Sequence, residues 1–103
     1  MFDNKTKRYV TRAIAEELHM EIAIILWQLI DRLNDQEIEL DYLQVFELSV
    51  SEDNQLAITH RQEVPVRRET WIIPLEEAEP ITRTVWCIHN GEEGQMMLFP
   101  QDY

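Results

Sequence analysis

Between residues 18 and 33 the apolar side chains repeat at the helical period. Leu18, Ile22, Ile25, Leu26, Leu29, Ile30 and Leu33 fall at i, i+4, i+7, i+8, i+11, i+12 and i+15. At 100° per residue the apolar stripe is about 160° wide, from Ile25 round to Ala23. It predicts one long amphipathic helix, with Glu16 and Glu17 at its positive N-terminal end and Asn34-Asp35-Gln36 ending it. Such a stripe must be buried against something broad and apolar. Because the rest of the chain shows no second helical repeat, the cover has to be a sheet.

The remaining segments read as strands. Residues 8–14 are β-branched and aromatic with polar residues interspersed. In 42–50 the even positions Tyr42, Phe46, Leu48 and Val50 are apolar, and in 55–63 Leu56 and Ile58 share a face. Ser51-Glu52-Asp53-Asn54 joins these two as a hairpin. Pro65 and Pro74 bracket 66–73, and a strand ended by prolines belongs at an edge or a bend. Residues 82–89 and 95–99 flank Asn90-Gly91-Glu92-Glu93-Gly94, a second hairpin loop. The expected fold is α+β: a mostly antiparallel sheet of five to six strands carrying one long helix, in the order β-α-β-β-β-β-β. With 103 residues and no linker-like run, residues 1–103 are expected to form a single domain. A chain of this size exposes about 6,100 Å² when folded and buries roughly two-thirds of its unfolded surface. That suffices for one modest core.

The net charge of −11 is unevenly spread. Residues 1–12 carry +3, residues 13–63 carry −10 and residues 64–103 carry −4. An acidic body argues against direct nucleic-acid binding and against attraction to an anionic membrane. The basic lead segment either braces the acidic body or anchors a partner. The longest apolar run, 22–27, is far short of the roughly 18 residues of a spanning helix. A lone cysteine, Cys87, and the lack of an apolar leader point to the cytoplasm.

Several residues invite a functional reading. Met20, Ile24 and Trp27 form a second apolar stripe beside the main one, with Asp31 one turn further on. The stripe suits either a deeply nested helix or a partner-binding or self-association seam, since Trp and Met are enriched at interfaces. His19 reads as a boundary residue at the helix start. Cys87 and His89 share a face of one strand, about 6–7 Å apart at Cα, and His60 would join them only if its strand lay alongside. Such a trio is the basis of a small-enzyme reading. It lacks the ligand count of a zinc site, so neither metal nor cofactor is expected. Glu37, Glu39 and Asp41, and Glu76, Glu77 and Glu79, cluster without a calcium-loop pattern. They read as solvated surface. No phosphate-binding Gly-rich loop, nucleophile elbow or zinc-protease motif is present.

Three strings carry a resemblance: Asn4-Lys5-Thr6-Lys7-Arg8-Tyr9-Val10-Thr11-Arg12, Leu26-Trp27-Gln28-Leu29-Ile30-Asp31, and Leu40-Asp41-Tyr42-Leu43-Gln44-Val45-Phe46-Glu47-Leu48. With them the chain resembles a family of small, uncharacterised bacterial proteins, mainly Gram-positive, that bears a domain-of-unknown-function label. The similarity runs on through the 90–94 turn to Leu98-Phe99-Pro100. It implies a bacterial cytoplasmic setting, with phage carriage open, and no site residue or substrate. The resulting expectation is a non-enzymatic protein-interaction or regulatory module, with Met20, Ile24, Trp27 and Asp31 as the partner-binding residues and a homodimer as one form. The alternative is an acidic mimic of nucleic acid that blocks a DNA- or RNA-binding protein. A small enzyme around Cys87, His60 and His89 comes third.

Overall fold

The computed structural model describes Phe2 and residues 6–103. Its elements run β1 (Arg8–Val10), α1 (Arg12–Glu17), α2 (Met20–Asp35), β2 (Leu43–Val50), β3 (Leu56–Gln62), β4 (Arg67–Ile73), β5 (Arg83–His89) and β6 (Gln95–Leu98). Short 3-10 turns follow β5 and β6. All six strands form one sheet in the order β1-β6-β5-β2-β3-β4. Every pairing is antiparallel except β1 with β6. The fold is therefore α+β with one main helix on a mostly antiparallel sheet, and 6439 Å² of surface stays exposed.

Helix α2 buries Ile22, Leu26, Ile30 and Leu33 against the sheet, four members of the predicted stripe. From the sheet, Phe46, Leu48, Leu56, Ile58, Val85, Cys87 and Met97 meet them. Strand β3 alternates buried and half-buried along its whole length, as a half-covered strand should. The proline-bracketed strand β4 lies at the sheet edge, where a residue without an N–H costs the ladder nothing.

Three local expectations need correction. The first strand stops at Val10, because the Thr11 hydroxyl accepts the Ile14 N–H at 3.3 Å and caps a short helix, α1. Glu16 and Glu17 lie in that helix, not at the head of the long one. The long helix starts two residues later than its apolar repeat, at Met20, where the His19 ring is the cap: its Nδ1 accepts the Glu21 N–H at 3.0 Å. In β2 the covered face carries Gln44, Phe46 and Leu48, while Tyr42 and Val50 at its ends stay exposed.

The β5–β6 loop forms as expected and also sets up the parallel pair. Gly94 has φ +108°, and a Cβ there would meet the Lys7 carbonyl oxygen at 2.6 Å. Only glycine permits that approach, which lets the Gln95 N–H reach the same carbonyl at 2.9 Å and start the β1–β6 ladder. Among the described residues, no helix is long and apolar enough to cross a membrane.

Candidate functional site

The second stripe of α2 divides into two parts with different surroundings. Met20 and Ile24 are 72% and 48% exposed. They line a groove of about 610 Å³ between the helix and the 74–80 loop, whose far side carries Glu76 and Glu77. Trp27 is half-buried against the core edge, and the Arg8 guanidinium lies over its ring at 4.6 Å. Asp31 receives the same guanidinium in a two-pronged ion pair, with one arm at 3.0 Å. Arg8 also donates to Gln95 at 3.0 Å. Within the basic lead segment, then, Arg8 braces the fold, and Arg12 pairs with Glu16. Asp3 and Lys5 of that segment lie outside the described residues.

The groove wall is held by one carboxylate. Glu21, in the first turn of α2, accepts the backbone N–H groups of Glu76, Glu77 and Ala78 at 2.8, 3.0 and 2.7 Å. These bonds, the one from Ala78 first, hold its carboxyl below the usual carboxylate range. The pair of oxygens does for the 76–78 turn what a bound anion does for a backbone nest. A depressed carboxyl contributes stability above its unfolded value that fades as pH falls through the folded one, so the clamp loosens only in acid. Replacing Glu21 by Gln turns one acceptor into a donor facing N–H groups. Faster hydrogen exchange at the 76–78 amides, with unchanged exchange in the β2–β3 hairpin, is the expected result at neutral pH.

Cys87, His60 and His89 share the helix-facing side of the sheet without converging. Strand β2 separates β5 from β3. Cys87 is fully buried, and burial pushes its thiol well above the ordinary range, which leaves no reactive thiolate. His89 sits at the strand end against the Phe2 ring, and its Nδ1 accepts the Gly91 N–H at 3.2 Å. Among the described residues no cluster of His, Cys, Asp or Glu could hold a metal ion.

His60 belongs instead to a buried polar chain that the sequence reading did not single out. Gln44, His60 and Gln62 are each at least 95% buried. The Gln62 amide donates to the carbonyls of Glu39 and Pro65, at 3.1 and 2.8 Å. Its oxygen accepts from the Asp41 N–H at 3.1 Å and from Gln44 Nε2 at 2.8 Å. Gln44 Nε2 also donates to the Asp41 carbonyl at 2.8 Å. The Gln44 oxygen is thereby the acceptor for His60 Nε2 at 2.7 Å, which fixes the proton on that nitrogen. The imidazole stacks on Phe46 with ring centres 4.2 Å apart. Burial, then the nearby Arg67 cation, pushes its pKa down to about 4. The cleft beside it, lined by Leu33, Arg67 and Glu69, has no room for a water molecule. The chain joins the end of β3 to the segment before β2, and its geometry is structural. Its only trace in the sequence is that His60 and Gln62 continue the Leu56–Ile58 face, and that Gln44 shares the face of Phe46.

No curated protein matches the chain. A solved structure, the crystal structure of a protein of unknown function from Enterococcus faecalis, superimposes with a TM-score of 0.85 at 19% identity. The match covers 99% of this chain and 94% of that one, and it establishes the shared fold. The family described as "Staphylococcal protein of unknown function (DUF960)" matches residues 7–102. The chain therefore belongs to this bacterial family of unknown function.

Proposed function

We propose that the protein is a non-enzymatic binding module that takes a basic, apolar segment of a partner protein in the groove between α2 and the 74–80 loop. The carrying observation is the exposure of Met20 and Ile24 on the floor of that groove, opposite Glu76 and Glu77. Two exposed aliphatic side chains one helical turn apart supply anchor points for a complementary helix or strand. The acidic rim and the net charge of −11 select a basic occupant and speed its approach. Trp27 and Asp31 lie further along the same helix and hold Arg8 of β1. The reading sets the module in the cytoplasm, where a lone buried thiol such as Cys87 stays reduced.

The test is fluorescence anisotropy with three amphipathic peptides of equal hydrophobicity, one basic, one neutral and one acidic. The basic peptide should bind most tightly. The double variant Met20→Ser, Ile24→Ser should keep its circular dichroism and weaken binding at least tenfold, on the order of a small hot spot. Glu76→Lys with Glu77→Lys should reverse the charge preference. Equal affinity for all three peptides, or no loss in the double variant, sinks the reading. If duplex DNA competes for a captured basic partner while the double variant does not matter, the acidic-mimic alternative takes its place.

A further inference from the structure

The described residues hold four sulfur-bearing side chains: Met20, Cys87, Met96 and Met97. Cys87 and Met97 belong to the core and show no surface to solvent. Met96 is half-buried on the outer sheet face, with Tyr9 and Ile88 beside it on the neighbouring strands. Met20 differs from all three. It opens α2, lies outside the core cluster and is 72% exposed. It is also one of the two apolar anchors on the floor of the α2 groove, with Ile24 one turn further on. Oxidant sensitivity follows access to solvent and, for a thiol, thiolate character. Cys87 meets neither condition, buried as it is with its thiol held protonated. A thioether needs no deprotonation, so contact with solvent is enough. Among the described sulfurs, the one most open to an oxidant is therefore the one on the groove floor.

We infer that Met20 is an oxidation switch on the groove, a proposal that rests on the groove reading above: a hydroperoxide converts its thioether to the sulfoxide and thereby releases the basic, apolar occupant. In this step the Met20 sulfur gives an electron pair to the terminal oxygen of the hydroperoxide. The S–O bond forms as the O–O bond breaks, and the proton of the transferred oxygen passes to the leaving one. Sulfur is oxidised by two electrons, and the hydroperoxide is reduced to an alcohol, or to water when it is hydrogen peroxide. The product is a polar, chiral side chain where an apolar, flexible one stood. An apolar group of the occupant packed on Met20 then has to cover a polar oxygen, which costs desolvation. Ile24 stays apolar, so binding weakens without vanishing. The fold is spared, because Met20 supports none of the core. Methionine sulfoxide reductases, one for each epimer, return the thioether and reset the groove.

The test treats the full chain with hydrogen peroxide for increasing times and stops each sample with catalase. Peptide mass mapping then reads the order of oxidation, and anisotropy with the basic peptide reads the affinity. Sulfoxide should appear at Met20 ahead of Met96 and Met97, with circular dichroism unchanged. Affinity should fall about tenfold as Met20 converts, on the scale of losing one anchor, and return after treatment with the two reductases. Met20→Gln carries an oxygen at the position of the sulfoxide oxygen and should bind as weakly as the oxidised chain. Met20→Leu keeps the apolar anchor without sulfur, so it should bind like the unaltered chain and hold its affinity through the same peroxide treatment. Oxidation of Met96 or Met97 before Met20 overturns the switch, as does an equal loss of affinity in Met20→Leu. Intact binding before peroxide that persists after full conversion of Met20 overturns the switch alone. No preference for the basic peptide before any peroxide is added overturns the groove reading and the switch together.

Discussion

Replacing Gln44 by Leu should lower the free energy of unfolding by about 2–4 kcal/mol, read from urea denaturation at pH 7. Leucine is of similar size and apolar, so packing volume is nearly conserved. The damage comes from the partners left behind. His60 Nε2–H loses the Gln44 oxygen as its acceptor inside the sheet, and a buried donor without a partner costs about 1–3 kcal/mol. The Asp41 carbonyl loses the Gln44 amide. Gln62 fares better, since its oxygen still accepts the Asp41 N–H. Gln44→Leu combined with His60→Leu should therefore be less destabilised than the sum of the two single variants, because the orphaned donor is gone. If both singles are neutral within 0.5 kcal/mol, the network carries none of the stability assigned to it.

Acid should unfold the protein partly through His60. Its folded pKa of about 4 lies below the unfolded value near 6.5, so the native state favours the neutral ring. Between these two values the unfolded chain binds more protons than the folded one, and stability falls as pH falls. The stabilisation is complete above about pH 6.5 and is spent by about pH 4. The full shift corresponds to about 3 kcal/mol. His60→Gln removes the titration while keeping a donor toward Gln44. Measured at pH 7 and pH 4.5, the loss of stability should be smaller in the variant by about 2–3 kcal/mol. Parallel losses in both proteins would show that the carboxylates account for the whole acid limb.

The same residues show where the sequence was legible. The 18–33 repeat gave the long helix because an apolar residue at i, i+3 or i+4 reports directly on backbone geometry. Leu56 and Ile58 marked the covered face of β3 by the same logic at period two. Prolines 65 and 74 placed β4 at an edge, because a missing N–H cannot be hidden inside a ladder. Helix α1 escaped notice because six residues with one buried side chain, Ile14, show no period. The polar chain escaped because Gln and His count as polar until their partners are known, and those partners lie 16 and 18 residues away across strands. The groove was half legible. Met20 and Ile24 follow the helical repeat, but the rim at Glu76 and Glu77 is brought there by Glu21, 55 and 56 residues distant.

By itself, then, the sequence determined the types of the long elements, most of the faces they bury and the proline positions where the ladder must stop. These depend on spacing within one segment, which the backbone repeat sets locally. The tertiary structure alone decided that β1 joins β6 in parallel, that Arg8 closes over Trp27 and Asp31, and that a polar chain is buried. Each of these depends on which strands become neighbours, and the residues involved are far apart in the chain.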